Sequence, residues 1–129
     1  MGAVDLSMPV LIVDGYRTML MTLGRLMKQL GFDNIDEASD GHQALEKLHS
    51  RPYSLVISGW GLRPMSGLDL VRRMRSEALL DQVPVIMVSA EDSDENLAAA
   101  KEAGVSEYIV KPFSATTLKD RLTPILGRF

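Results

Sequence analysis

Short apolar runs that stop abruptly, separated by stretches of helical periodicity, constrain this chain more than any other feature. Val10 to Val13 is unbroken VLIV and ends on Asp14-Gly15. Tyr53 to Ser58 is almost wholly apolar and ends on Gly59-Trp60-Gly61. VIMVSA follows Pro84, and Glu107 to Val110 ends on Lys111-Pro112. Runs of this length, rich in branched residues and without polar alternation, predict strands buried on both faces. Asp33 to Ala38 is weaker, with only Ile35 and Ala38 apolar, and predicts an edge or near-edge strand.

Between the runs the period changes to 3.6. Met19, Leu23, Leu26, Met27 and Leu30 fall on one helical face; Gly31 stands at the left-handed C-cap, and Phe32 can fold back over the last turn. Leu20 and Met21 fit that face less well, and one of them should be exposed. Gly41 to Ser50 carries Ala44, Leu45 and Leu48, and a third helix is marked by Leu68, Val71 and Met74. Ser93 caps a fourth helix, with Asp94 and Glu95 at its positive end and Gly104 stopping it. Ser114 caps a last helix with Leu118, Leu122 and Ile125 inward; Pro124 predicts a kink or an early stop near Thr123.

Strict alternation of five strands and five helices predicts an α/β fold with a parallel sheet and right-handed crossovers. Ligands of such sheets bind beyond the carboxyl ends of the strands. The candidate positions are therefore Asp14 and Gly15, Gly59 to Gly61, Ser89 and Ala90, and Lys111. The 129 residues suit one domain, 1–129, with an N-terminal extension at 1–8. Absence of cysteine excludes disulfides and thiolate metal sites and fits the cytoplasm. A net charge of −3 argues against nucleic-acid binding through the whole surface. No apolar run approaches the ~18 residues a membrane span needs, and MGAVDLSMP lacks the basic cluster of a signal peptide.

LIVDG followed by TM, then LGF, EASDGHQAL, VISGW, PMSGLDL, PVIMVSAE and EYIVKPF together resemble the receiver domains of two-component response regulators, above all the single-domain CheY-like chemotaxis receivers. The resemblance runs from Pro9 to Leu126 and implies a flavodoxin-like (βα)5 sheet of order 2-1-3-4-5. It also implies a site. Asp14 and Gly15 match two acidic, Mg²⁺-binding positions at the first strand tip. Gly59 matches the aspartate that accepts phosphate from a histidine kinase, and Gly61 the position whose carbonyl also binds the metal. Ser89 and Lys111 match the hydroxyl and lysine that contact the phosphoryl group, Tyr108 the aromatic switch, and the Lys111-Pro112 bond is implied to be cis.

Where the family carries three carboxylates, only Asp14 keeps one. Gly59 has no oxygen to phosphorylate, and one carboxylate makes a poor Mg²⁺ site, so no cofactor is expected. Lys111 is expected to pair with Asp14. The resulting expectation is a monomeric, non-enzymatic binding module. Its partners would be a histidine kinase, a flagellar motor switch protein or another signalling protein, met through Ala98–Lys101, Tyr108 and the last helix. Either the site was abandoned as a unit or it was inactivated deliberately in a conventional phosphorylated regulator. Two further readings are a receiver using Ser58 or Ser89 as acceptor, and a flavodoxin-like electron carrier, for which VDGYRT is a poor phosphate loop and 5% aromatics are few.

Each residue also has a plainer reading. Gly59 and Gly61 could serve a turn, and Tyr108 could only pack. His42 and His49, seven apart, miss the i, i+4 spacing of metal pairs and should be solvated. Arg63, Arg72, Arg73 and Arg75 read as an exposed face, secondarily a docking patch, and the eight methionines mostly as core fillers.

Overall fold

The computed structural model describes residues 2–129. Five strands alternate with five helices: β1 (Val10–Val13), α1 (Arg17–Gln29), β2 (Ile35–Ala38), α2 (Gly41–Ser50), β3 (Leu55–Gly59), α3 (Gly67–Arg75), β4 (Val85–Ser89), α4 (Asp94–Ala103), β5 (Glu107–Val110) and α5 (Ala115–Leu126). The strands form one parallel sheet of order β2-β1-β3-β4-β5, the flavodoxin-like order. Val10, Leu11, Ile12 and Val13 have no exposed surface, nor have Leu55, Val56 and Ile57. Each such side chain contributes about 1.5–3 kcal/mol by leaving water.

Alternation along each strand sorts the core into two layers. Leu11, Val56 and Met87 pack under Leu45, Val71 and Ala100 of α2, α3 and α4. Ile12, Ile57 and Val88 pack under Leu23, Met27, Leu118 and Leu122 of α1 and α5. Of the doubtful α1 pair, Leu20 is buried and Met21 is exposed. Gly31 takes φ +110, and Phe32 folds back to donate its N–H to the Met27 carbonyl at 3.0 Å. Side-chain caps form where expected: Ser93 accepts from the Asn96 N–H and Ser114 from the Thr117 N–H.

Several boundaries and contacts differ from the sequence reading. β2 starts at Ile35 rather than Asp33, because Asn34 already gives its carbonyl to the Val10 N–H. β3 starts at Leu55 rather than Tyr53, whose hydroxyl donates to the Asp36 carboxylate on β2. β4 ends at Ser89, one residue before Ala90. α5 does not stop at Thr123: it runs to Leu126 with Pro124 inside. Pro124 lies in the last turn, so only one ladder bond is lost, and the residue whose carbonyl it frees, Asp120, is exposed.

Arg75 is not on an exposed face. Its Nε donates to the Gly104 carbonyl at 3.0 Å and its Nη1 to the Val83 carbonyl at 2.7 Å, so it ties α3, the 80–83 loop and α4 together. His49 is not merely solvated either, since its Nε2 stands 2.7 Å from Glu77. The N-terminal segment is anchored: the Val4 N–H donates to the Arg128 carbonyl at 2.7 Å, the Arg128 N–H to Gly2 at 3.0 Å, and Phe129 packs edge-on to Phe32.

Candidate functional site

Parallel pairing aligns the carboxyl ends of β1, β3, β4 and β5, with Val13 opposite Ser58, Gly59 opposite Val88 and Ser89 opposite Val110. The next residues open a cavity of about 130 Å³, lined by Asp14, Gly15, Gly59, Trp60, Gly61, Ser89 and Lys111 among others. The structure thus brings together every position singled out at the strand tips except Tyr108, whose ring stands outside this lining.

Asp14 is 4% exposed. Its N–H donates to the Ala38 carbonyl, and its Oδ1 accepts from the Tyr16 N–H at 2.9 Å. Oδ2 points at β3, 2.6 Å from where a Cβ on residue 59 would stand. Within an aspartate the carboxylate oxygen lies roughly 2.4 Å from its own Cβ, by covalent geometry. A side chain at 59 would therefore oblige the Asp14 carboxylate to turn aside.

The glycines are not a requirement of turn geometry. Gly15, Gly59 and Gly61 are not among the positive-φ residues. A Cβ on Gly15 would meet nothing closer than the Ser39 carbonyl at 3.9 Å, and one on Gly61 nothing within 4 Å. The glycine nearby that does answer a steric need is Gly67. Its Cβ would lie 2.0 Å from the Gly59 carbonyl, where the α3 start is drawn to β3 by a bond from the Gly67 N–H to the Trp60 carbonyl.

The expected Asp14–Lys111 pair is not formed: among the described residues no ion pair within 4 Å involves Lys111. The strand order explains this. β1 and β5 are separated by β3 and β4, a backbone distance of roughly 14 Å at ~4.8 Å per strand. Lys111, just beyond β5, lines the same cavity as Gly59, which has no side chain to meet it.

Ser58 is fully buried and gives its hydroxyl to the Gly59 carbonyl at 2.9 Å. Ser89 Oγ accepts from the Glu91 N–H at 3.1 Å, and the Tyr108 hydroxyl donates to the Glu91 carbonyl at 2.6 Å. Both backbone groups of Glu91 are therefore held, and Trp60 braces the Tyr108 ring edge-to-face with centroids 6.1 Å apart. This link from the β3 tip to β5 was not visible in the sequence, where Trp60 read only as a neighbour of the glycines. Lys111-Pro112 is cis, as is Arg63-Pro64. Among the described residues no three His, Cys, Asp or Glu side chains come together as metal ligands. Among the described residues no helix is long and apolar enough to cross a membrane.

Comparison with known proteins meets the same geometry. Residues 10–123 match the family model of the response regulator receiver domain. The chain is 41% identical over 122 residues to chemotaxis protein CheY-3 of Vibrio cholerae serotype O1, covering 95% of this chain and 94% of that protein. It is 40% identical over 121 residues to chemotaxis protein CheY of Pseudomonas aeruginosa, covering 94% and 98%. A putative response regulator from Chloroflexus aurantiacus superposes with a TM-score of 0.88 at 28% identity, over 95% of this chain and 99% of that one. A parallel sheet of this order, with a match from β1 nearly to the end of α5, makes the chain a member of the response regulator receiver domain family.

Proposed function

We propose that this receiver works in chemotaxis-type two-component signalling by binding other proteins, without a phosphoryl switch at residue 59. One observation carries the reading: β3 ends on Gly59 with no side chain, and Asp14 Oδ2 stands 2.6 Å from where its Cβ would be, too close for one to be added without Asp14 turning aside. The acyl phosphate chemistry needs a nucleophilic carboxylate on β3 and a divalent ion to offset charge. Gly59 lacks the first. For the second, Mg²⁺ demands near-octahedral oxygen coordination. Here a single carboxylate remains, that of Asp14, and Gly15, Gly59 and Gly61 add no side-chain oxygen to it. The donor set does not fit Mg²⁺.

The binding surface is the face of α4, β5 and α5, around Ala98–Lys101 and Tyr108. There Leu97, Lys101, Val105 and Tyr108 line a shallow groove. Its partners are a histidine kinase, a flagellar motor switch protein or both, met by a monomer in the cytoplasm. The relatives named CheY support this choice of pathway. An electron carrier gains nothing from the site, since a cavity of about 130 Å³ is small beside the several hundred Å³ of most organic-ligand pockets.

The test is incubation with acetyl phosphate and Mg²⁺ followed by intact-mass measurement. The expected result is no mass gain, with binding to a motor switch protein equal in the presence and absence of phosphodonor. Stoichiometric gain of one phosphoryl, on Ser58, Ser89 or elsewhere, overturns the reading. Millimolar Mg²⁺ should move the melting temperature by no more than about one degree, because a ligand stabilises only when its concentration exceeds its dissociation constant.

A further inference from the structure

We propose that the cavity between Asp14 and Lys111 binds a small zwitterion, a molecule of the size of a simple α-amino acid carrying one ammonium and one carboxylate. Three observations lead there. Asp14 is nine-tenths buried, yet among the described residues no group donates to its Oδ2, which points to the cavity floor at Gly59. Lys111 lines the same cavity with no carboxylate within 4 Å. The side-chain-free floor is not imposed by the backbone at Gly15 or Gly61, as their open surroundings show.

Two opposite charges therefore face one open cavity, the Asp14 Oδ2 and the half-buried Lys111 ammonium, each without a protein partner among the described residues. An anion alone would meet Lys111 but be repelled by Asp14 Oδ2. A cation alone would have the reverse problem. A zwitterion satisfies both: its ammonium donates to Asp14 Oδ2, and its carboxylate meets Lys111 and the Ser89 hydroxyl, standing where the β3 carboxylate is missing. The volume is right. About 130 Å³ equals the share of roughly four water molecules, enough for alanine or glycine. The adjoining cleft of about 330 Å³, which shares Gly15, Tyr16 and Gly61 and reaches Arg63, gives room for a longer side chain.

Trp60, the only tryptophan, lines the cavity and serves as reporter. L-alanine is titrated against the wild-type chain, with acetate, ethylamine and MgCl₂ in parallel. The expected result is a saturable fluorescence change with L-alanine, and at least about tenfold weaker response to acetate or ethylamine, the loss expected for one charged contact. Asp14→Asn and Lys111→Met should each weaken L-alanine binding by a similar factor, while Arg121→Ala, outside the cavity, leaves it unchanged. Circular dichroism checks that each variant is folded. If one is not, a thermal-shift comparison of the four compounds on the wild-type chain decides instead. No saturable response to L-alanine at tens of millimolar, an equal response to acetate, or a response to MgCl₂ alone overturns the proposal. Because no phosphodonor or partner protein is present, such a failure leaves the binding-module reading standing.

Discussion

At the residue scale the determining event is the occupation of one small volume. Asp14 Oδ2 stands 2.6 Å from where a Cβ on residue 59 would be, so a side chain restored there meets the Asp14 carboxylate at once. Gly59→Asp would set two carboxylates against each other at short range. We expect it to lower stability by about 1–3 kcal/mol in urea unfolding near neutral pH. Adding Asp14→Asn should restore most of the loss. Gly15→Asp, facing open space, should be nearly neutral. Gly67→Ala is the contrast. A Cβ 2.0 Å from a backbone carbonyl must push α3 off β3, and the expected cost is about 3 kcal/mol or more. A Gly67→Ala protein as stable as the wild type would show that α3 can slide.

At the element scale, several contacts join segments that the sequence shows only as separate. Arg75 holds carbonyls from the 80–83 loop and from Gly104, and burial lowers its pKa from the ordinary arginine value, with Asp81 opposing. Arg75→Met should cost about 1–3 kcal/mol, and hydrogen exchange should quicken at the C-terminal end of α4 before the sheet is affected. Tyr53 binds β2 through Asp36, and its phenol is pushed up to about 12, by burial first and then by the Asp36 carboxylate. A folded-state pKa above the unfolded value means stability that is complete below pH 10 and lost as pH rises from 10 toward 12. Urea midpoints across that window should fall less steeply in Tyr53→Phe; an identical slope would remove Tyr53 as the cause.

The whole molecule was largely legible because the strands announce themselves. Buried parallel strands are continuous apolar runs, and their alternation with helices gave the parallel sheet, while the strand order came from the receiver resemblance. Even the β2 edge could be anticipated from its mixed composition. What failed to show was contact across distance. The Asp14–Lys111 pair was expected from shared position at the strand tips, although the order 2-1-3-4-5 already sets two strands between them. Arg75 looked like its exposed neighbours Arg72 and Arg73, since three arginines in four positions carry no mark of which one turns inward. The early stop near Thr123 did not occur because Pro124 falls in the last turn, where few ladder bonds remain to be lost.

Residues 2–4 and 127–128 lie together at the amino-terminal edge of the sheet, the pole away from the strand tips. A fluorescent protein or affinity handle attached to either terminus would therefore hang from that pole and leave the cleft unobstructed. A donor and acceptor dye at the two ends would sit close enough for resonance energy transfer, which would drop when the terminal clasp opens.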